Sequence, residues 1–139
     1  MTMDGPGSMS GTGRAIRVLV VDDHAPLRRL IVDVLVEADD IMVVGECGDG
    51  DEVVDAVVRT RPDVVLMDVS MARVDGLEAT RRLLAVRPQA RVLLLTAASG
   101  LDSSQEAHRV GAMGYVSKDD ILALPDRARI LAAGGTAWS

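Results

Sequence analysis

Val64-Val65-Leu66-Met67 runs without a break into Asp68. Four consecutive apolar residues led by β-branched ones read as a strand buried on both faces. A carboxylate at the end of such a strand is costly to keep there unless its charge is used. The pattern recurs at Arg17-Val18-Leu19-Val20-Val21, which runs into Asp22-Asp23. A fold for this chain therefore has to cover strands on both faces and do something with the charges at their ends.

The remaining segments supply the cover. Pro26 sits where a first helical turn accepts it, and Leu27, Leu30, Ile31, Val34, Leu35 and Ala38 follow at steps of three and four. Ile41-Met42-Val43-Val44 is a third strand, closed by Gly45. A helix over 51–61 places Val53, Ala56 and Val57 on one face and is stopped by Pro62. Asp75 caps a helix from Gly76 to about Val86, ended by Pro88. Arg91-Val92-Leu93-Leu94-Leu95-Thr96 is the fourth long apolar strand, and Ala97-Ala98-Ser99-Gly100 leaves it as a small-residue loop. A polar helix over 103–110 ends in the turn Gly111-Ala112-Met113-Gly114. Tyr115-Val116-Ser117 is a short strand with Lys118 at its end. The last helix carries Leu124, Ala128 and Leu131 inward and stops at Gly134-Gly135. Five strands alternating with five helices imply right-handed crossovers and a parallel α/β sheet covered on both faces. Residues 1–14, rich in Gly, Ser and Met, read as a flexible tail, 15–135 as the domain, and 136–139 as the start of a linker or C-terminal tail.

Composition narrows the partners. The 139 residues suit one domain. Phe is absent and Trp and Tyr occur once each, so the core has to be aliphatic. A net charge of −6 argues against a surface that grips nucleic acid by its phosphates. The single Cys47 excludes an internal disulfide and fits a reducing, cytoplasmic setting, and no apolar run reaches the ~20 residues of a membrane helix.

In open parallel sheets the chemistry lies beyond the carboxyl ends of the strands. Those ends are Asp22 and Asp23, Asp68, Thr96, and Lys118. Three carboxylates gathered there repel one another unless a cation intervenes. Mg2+ takes oxygen ligands and suits two or three carboxylates together with a substrate phosphate. A carboxylate held beside Mg2+ and Lys118 is able to attack a phosphoryl group, and Thr96 is able to hydrogen-bond one of its oxygens.

Asp22-Asp23, Asp68, Thr96-Ala97 and Lys118, with Asp75-Gly76-Leu77 and Gly111-Ala112-Met113-Gly114-Tyr115, resemble the receiver domain of two-component response regulators. The likeness spans roughly residues 15–135. It implies a flavodoxin-like fold with strand order 2-1-3-4-5 and a phosphoacceptor at Asp68. It further implies Mg2+ on Asp22, Asp23, Asp68 and the Ser70 backbone carbonyl, phosphoryl binding by Thr96 and Lys118, and switching through Thr96 and Tyr115. The implied partner is a sensor histidine kinase, with homodimerisation as one output. Asp22-Asp23-His24 and the ending Ala132-Ala133-Gly134-Gly135-Thr136-Ala137-Trp138 resemble the NarL/FixJ type, in which a DNA-binding helix-turn-helix follows a linker. The chain stops where that linker would begin, so it reads either as part of a transcription regulator or as a stand-alone receiver acting through protein contacts. Two positions depart from the family pattern: Ala72 stands where receivers commonly have proline, and Asp119 where many have proline after the lysine.

The rival readings are weaker. An aspartate-nucleophile phosphohydrolase needs a second Asp two residues after the nucleophile, and that position is Ser70. A flavin carrier needs a phosphate-cradling loop after the first strand, where this chain has Asp22-Asp23-His24. The protein is thus expected to assist only its own phosphorylation and dephosphorylation, without being an enzyme. His24 reads as a helix-entry residue, Cys47 as a packing residue in a loop, and Trp138 as either packed on the domain or disordered.

Overall fold

Each apolar run is followed by an amphipathic segment that returns the chain to the edge where the run began, so the runs pair in parallel. The computed structural model describes residues 14–97 and 101–138. Its strands are β1 (Ile16–Val21), β2 (Ile41–Cys47), β3 (Val64–Asp68), β4 (Val92–Thr96) and β5 (Gly114–Ser117). The connecting helices are α1 (Ala25–Val36), α2 (Val53–Thr60), α3 (Gly76–Val86), α4 (Leu101–Val110) and α5 (Leu124–Ala132). The sheet order is β2-β1-β3-β4-β5, the flavodoxin-like order expected. The tail assigned to residues 1–14 lies, apart from Arg14, outside the described residues, as do Ala98-Ser99-Gly100 of the small-residue loop and Ser139.

Alternation along the strands builds two cores, one per face. Val18, Val20, Val64, Leu66, Leu93 and Leu95 pack with Ile31 and Leu35 of α1 and with Leu124, Ala128 and Leu131 of α5. Leu19, Val21, Val65, Met67, Val92 and Leu94 pack with Val53, Ala56 and Val57 of α2, Ala79 and Leu83 of α3, and Ala107 of α4. Fully burying such a side chain contributes roughly 1.5–3 kcal/mol, so β3 is fixed firmly on both faces.

Some boundaries differ from the sequence reading. Gly45 does not close β2. The pairing with β1 shifts between Val18 and Leu19, so Val18 faces Val43 and Leu19 faces Gly45, and the strand resumes as far as Cys47. The bulge absorbs the glycine. Cys47 is consequently a buried strand residue and not a loop residue. The segment expected as one helix over 51–61 begins as a short 3-10 turn at Gly50–Glu52 before α2. Leu30 of α1 is 48% exposed, because the face of α1 over the sheet is filled by Ile31 and Leu35 with Leu27 and Val32 at its margins. Gly114 belongs to β5, not to the preceding turn.

Helix entries match expectation. His24 caps α1, its Nδ1 accepting the Leu27 N–H at 3.3 Å, with Pro26 in the first turn. Asp75 caps α3 by accepting the Glu78 N–H at 2.8 Å. Beyond α5 the chain returns to the sheet. The Tyr115 N–H donates to the Ala137 carbonyl at 3.1 Å and the Ala137 N–H to the Met113 carbonyl at 2.9 Å. Of the two readings of Trp138, packing holds. Its ring stacks on His108 at 3.5 Å between centroids and lies 6.2 Å from Tyr115.

Candidate functional site

Strand ends determine what meets at the carboxyl edge of the sheet. Asp22 directly follows β1 and is fully buried. Its N–H donates to the Cys47 carbonyl at 3.0 Å, tying it to the end of β2. Its Oδ1 accepts the His24 N–H at 2.8 Å, while its buried Oδ2 has no hydrogen-bond partner. Asp23 turns outward, and its Oδ2 accepts the Ala72 N–H at 3.1 Å. Asp68 is the last residue of β3 and is 2% exposed. Its Oδ1 lies 3.1 Å from the Lys118 ammonium and accepts the Ser70 N–H at 3.3 Å. One carboxylate oxygen from each of Asp22, Asp23 and Asp68 falls within 4.8 Å of the other two.

The electrostatics follow from that crowding. Burial pushes the Asp68 carboxyl up from its ordinary range, and the charge of Asp22 adds to the push. The Lys118 hydrogen bond and charge, and the Ser70 amide, oppose it without cancelling it. Burial therefore outweighs the donors that reach Asp68 even with Lys118 in place. A buried carboxylate oxygen without a donor is a costly state. The orphaned Oδ2 of Asp22 and an all-oxygen donor set fit a hard divalent cation, with Asp22, Asp23 and Asp68 the residues placed to hold it.

The other expected site residues lie on the same edge. The β3–β4 register sets Asp68 opposite Leu95, so Thr96 stands one residue further out, buried. Thr96 in turn faces Ser117, directly before Lys118. Ser70 is drawn in by its amide. Tyr115 faces Leu94 across the β4–β5 pair and packs, half-buried, in the core on the α2–α4 side. By strand alternation Thr96 and Tyr115 share that side of the sheet.

Sequence reasoning passed over Asp49. It is 5% exposed, two residues past β2. Its Oδ1 accepts the Val74 N–H at 2.8 Å and its Oδ2 the Arg73 N–H at 3.0 Å. The loop from Val69 to Asp75 is thus held from the side by a carboxylate of another connection. Glycines make the fit possible. A Cβ on Gly50 would lie 2.4 Å from the Val74 carbonyl oxygen, and one on Gly76 would lie 2.2 Å from that of Asp68. The available signal was an acidic residue between glycines in Gly48-Asp49-Gly50, which also describes an ordinary turn.

A family model for the response regulator receiver domain matches residues 18–128. The chain is 40% identical over 120 residues to "Response regulator GacA" of Pseudomonas viridiflava, covering 86% of this chain and 56% of that protein. It is 36% identical over 123 residues to "Transcriptional regulatory protein DegU" of Brevibacillus brevis, covering 86% and 51%. Among solved structures, a LuxR-family two-component response regulator from Aurantimonas sp. SI85-9A1 superposes with a TM-score of 0.86 at 32% identity, covering 90% of each chain. The receiver domain of the NarL regulator of Mycobacterium tuberculosis superposes with a TM-score of 0.75 at 31% identity, covering 84% and 98%. This chain belongs to the receiver domain family of two-component response regulators. It spans about half the length of the curated relatives it matches.

Proposed function

We propose that the domain is a phosphorylation-controlled switch with Asp68 as its phosphoacceptor. The observation that carries this reading is the buried Asp68 at the end of β3, paired with Lys118 and crowded by an Asp22 whose Oδ2 has no donor. Asp22, Asp23, Asp68 and the Ser70 carbonyl are the residues that would bind Mg2+. When bound, Mg2+ supplies Lewis-acid neutralisation of charge on the phosphoryl oxygens. The donor is a sensor histidine kinase. An oxygen of Asp68 forms the new bond to phosphorus as the P–N bond to the donor imidazole breaks, the nitrogen keeping the bonding pair and taking up a proton. Lys118, already an ion-pair partner of Asp68, stays beside the phosphoryl group and balances its charge.

The product carries up to about two negative charges and strong acceptor oxygens. Thr96 donates its hydroxyl to one of them, and Tyr115, on the same side of the sheet, fills the space that Thr96 leaves. Phosphate thereby favours one of two arrangements of the α4, β5 and α5 surface. The output is homodimerisation and, in a longer protein like the matched regulators, control of a DNA-binding domain. Phosphohydrolase turnover is disfavoured by Ser70 at the position of the needed second acid. Incubated with acetyl phosphate and Mg2+, the wild-type chain is expected to gain the mass of one phosphoryl group, which Asp68→Asn does not gain. Labelling that persists in Asp68→Asn overturns the assignment.

A further inference from the structure

The Val69–Asp75 loop presents three successive amides to carboxylates from elsewhere. The Ala72 N–H goes to Asp23, and the Arg73 and Val74 N–H groups go to Asp49. The loop is closed at its base by the Gly76 N–H donating to the Val69 carbonyl at 2.7 Å. We propose that the backbone N–H of Ala72 is a positioning donor for Asp23 as a metal ligand, and that Asp49 fixes where this donor stands. The assignment presupposes the Mg2+ site proposed above.

Asp23 is the exposed member of the acidic group, and among the described residues the Ala72 amide is its one hydrogen-bond partner. An exposed carboxylate samples several side-chain rotamers, and ordering it opposes binding by an entropic cost. Tying one oxygen to a fixed amide removes part of that freedom before a cation arrives. The second oxygen and the remaining lone pairs stay available. Asp22 and Asp68 need no such help, because burial in the strand ends already orders them.

An amide in an exposed loop is a useful anchor only when the loop itself is held. Here the two following amides are fastened to a buried carboxylate, and Gly50 lets the chain of that carboxylate press against the Val74 carbonyl. The position of the Ala72 N–H is therefore set by Asp49. The run of hydrogen bonds from Asp49 through 74, 73 and 72 to Asp23 makes the connection after β2 an outer support of the site. Such a support requires an N–H at position 72, which alanine supplies and proline lacks.

The test is isothermal titration of the full chain with Mg2+. An amide-to-ester replacement at Ala72 deletes the donor and keeps the side chain, weakening only the Met71 carbonyl as an acceptor, and Ala72→Pro deletes it with a change of side chain. Both are expected to raise the Mg2+ Kd about tenfold, the lower range for losing an outer partner of a metal ligand. Ala72→Ser retains the N–H and is expected to bind within about twofold of wild type, well below that range. Asp49→Asn keeps one acceptor oxygen and is expected to fall between, at about threefold. The thermal midpoint of the ester variant in EDTA should stay near wild type, which a general loss of structure would not allow. Wild-type affinity in the ester variant overturns the positioning role, as does a loss in Ala72→Ser equal to that of the ester. A wild-type chain that takes up no Mg2+ overturns the metal site itself, and the positioning role with it.

Discussion

Asp49 and Asp68 are both buried carboxylates at the carboxyl edge of one sheet, and they differ in how many donors reach them. Burial alone would push the Asp49 carboxyl up. The amides of Arg73 and Val74, helped by those of Gly50 and Asp51, outweigh burial and hold it below the usual range. For Asp68 burial wins over Lys118 and the Ser70 amide, and Asp22 makes matters worse. Burial is therefore a poor guide to function at this edge, whereas donor supply separates the two residues. A carboxylate whose oxygens are both met by amides fastens a loop. One whose burial outweighs the donors that reach it keeps a raised carboxyl, as Asp68 does.

The contrast is sharpest when each carboxylate is removed in turn from the metal-free chain. Asp49→Ala orphans the Arg73 and Val74 amides and releases the loop. Urea unfolding in EDTA should show a loss of about 3 kcal/mol, since two part-buried amides each lose a hydrogen bond to a charged acceptor, a bond that contributes about 1.5–3 kcal/mol. Asp68→Asn should act in the opposite direction. It removes a charge that burial and Asp22 disfavour and leaves an amide of the same shape beside Lys118. A gain of about 1 kcal/mol, or about 4 °C in thermal midpoint for a domain of this size, is expected in EDTA. Destabilisation by Asp68→Asn would mean that Lys118 already satisfies the carboxylate, and the contrast would collapse.

The sheet and the buried carboxylate at the end of β3 were legible in the sequence because apolar runs that end in charge have few other uses. Val64 to Asp68 declared both a strand buried on two faces and a charge that needed partners. The register that brings Asp22, Asp68, Thr96 and Lys118 to one edge follows from parallel topology, so those residues could be collected before any geometry was known. Asp49 and the Ala72 amide were not legible. Asp49 stands between glycines as turn residues do, and only the packed loop reveals that its oxygens reach 24 and 25 residues along the chain. A backbone donor leaves no mark in a sequence except where proline would have deleted it. Gly45 misled for a related reason: a glycine that stops a strand and one that sits in a bulge have the same local signature.

The finest distinction is in pH dependence, where the two residues should part in sign and in range. The folded-state value of Asp68 is raised, so the folded chain takes up a proton there before the unfolded chain does. Its charge opposes folding above that folded value, and the opposition fades as pH falls toward the ordinary carboxylate value of about 3.9. The folded-state value of Asp49 is lowered. Its contribution is whole above the ordinary value and is lost as pH falls through the folded one. In EDTA, the stability gap between Asp68→Asn and wild type should therefore close as pH is stepped down from 7 toward the carboxylate range. The gap between Asp49→Ala and wild type should hold over the same steps and narrow only below about pH 4. Urea unfolding of the three proteins at each pH reads both gaps, the first changing by no more than the ~1 kcal/mol it starts from. Gaps that close together would make the two carboxylates electrostatically alike, and donor supply would no longer tell Asp49 from Asp68.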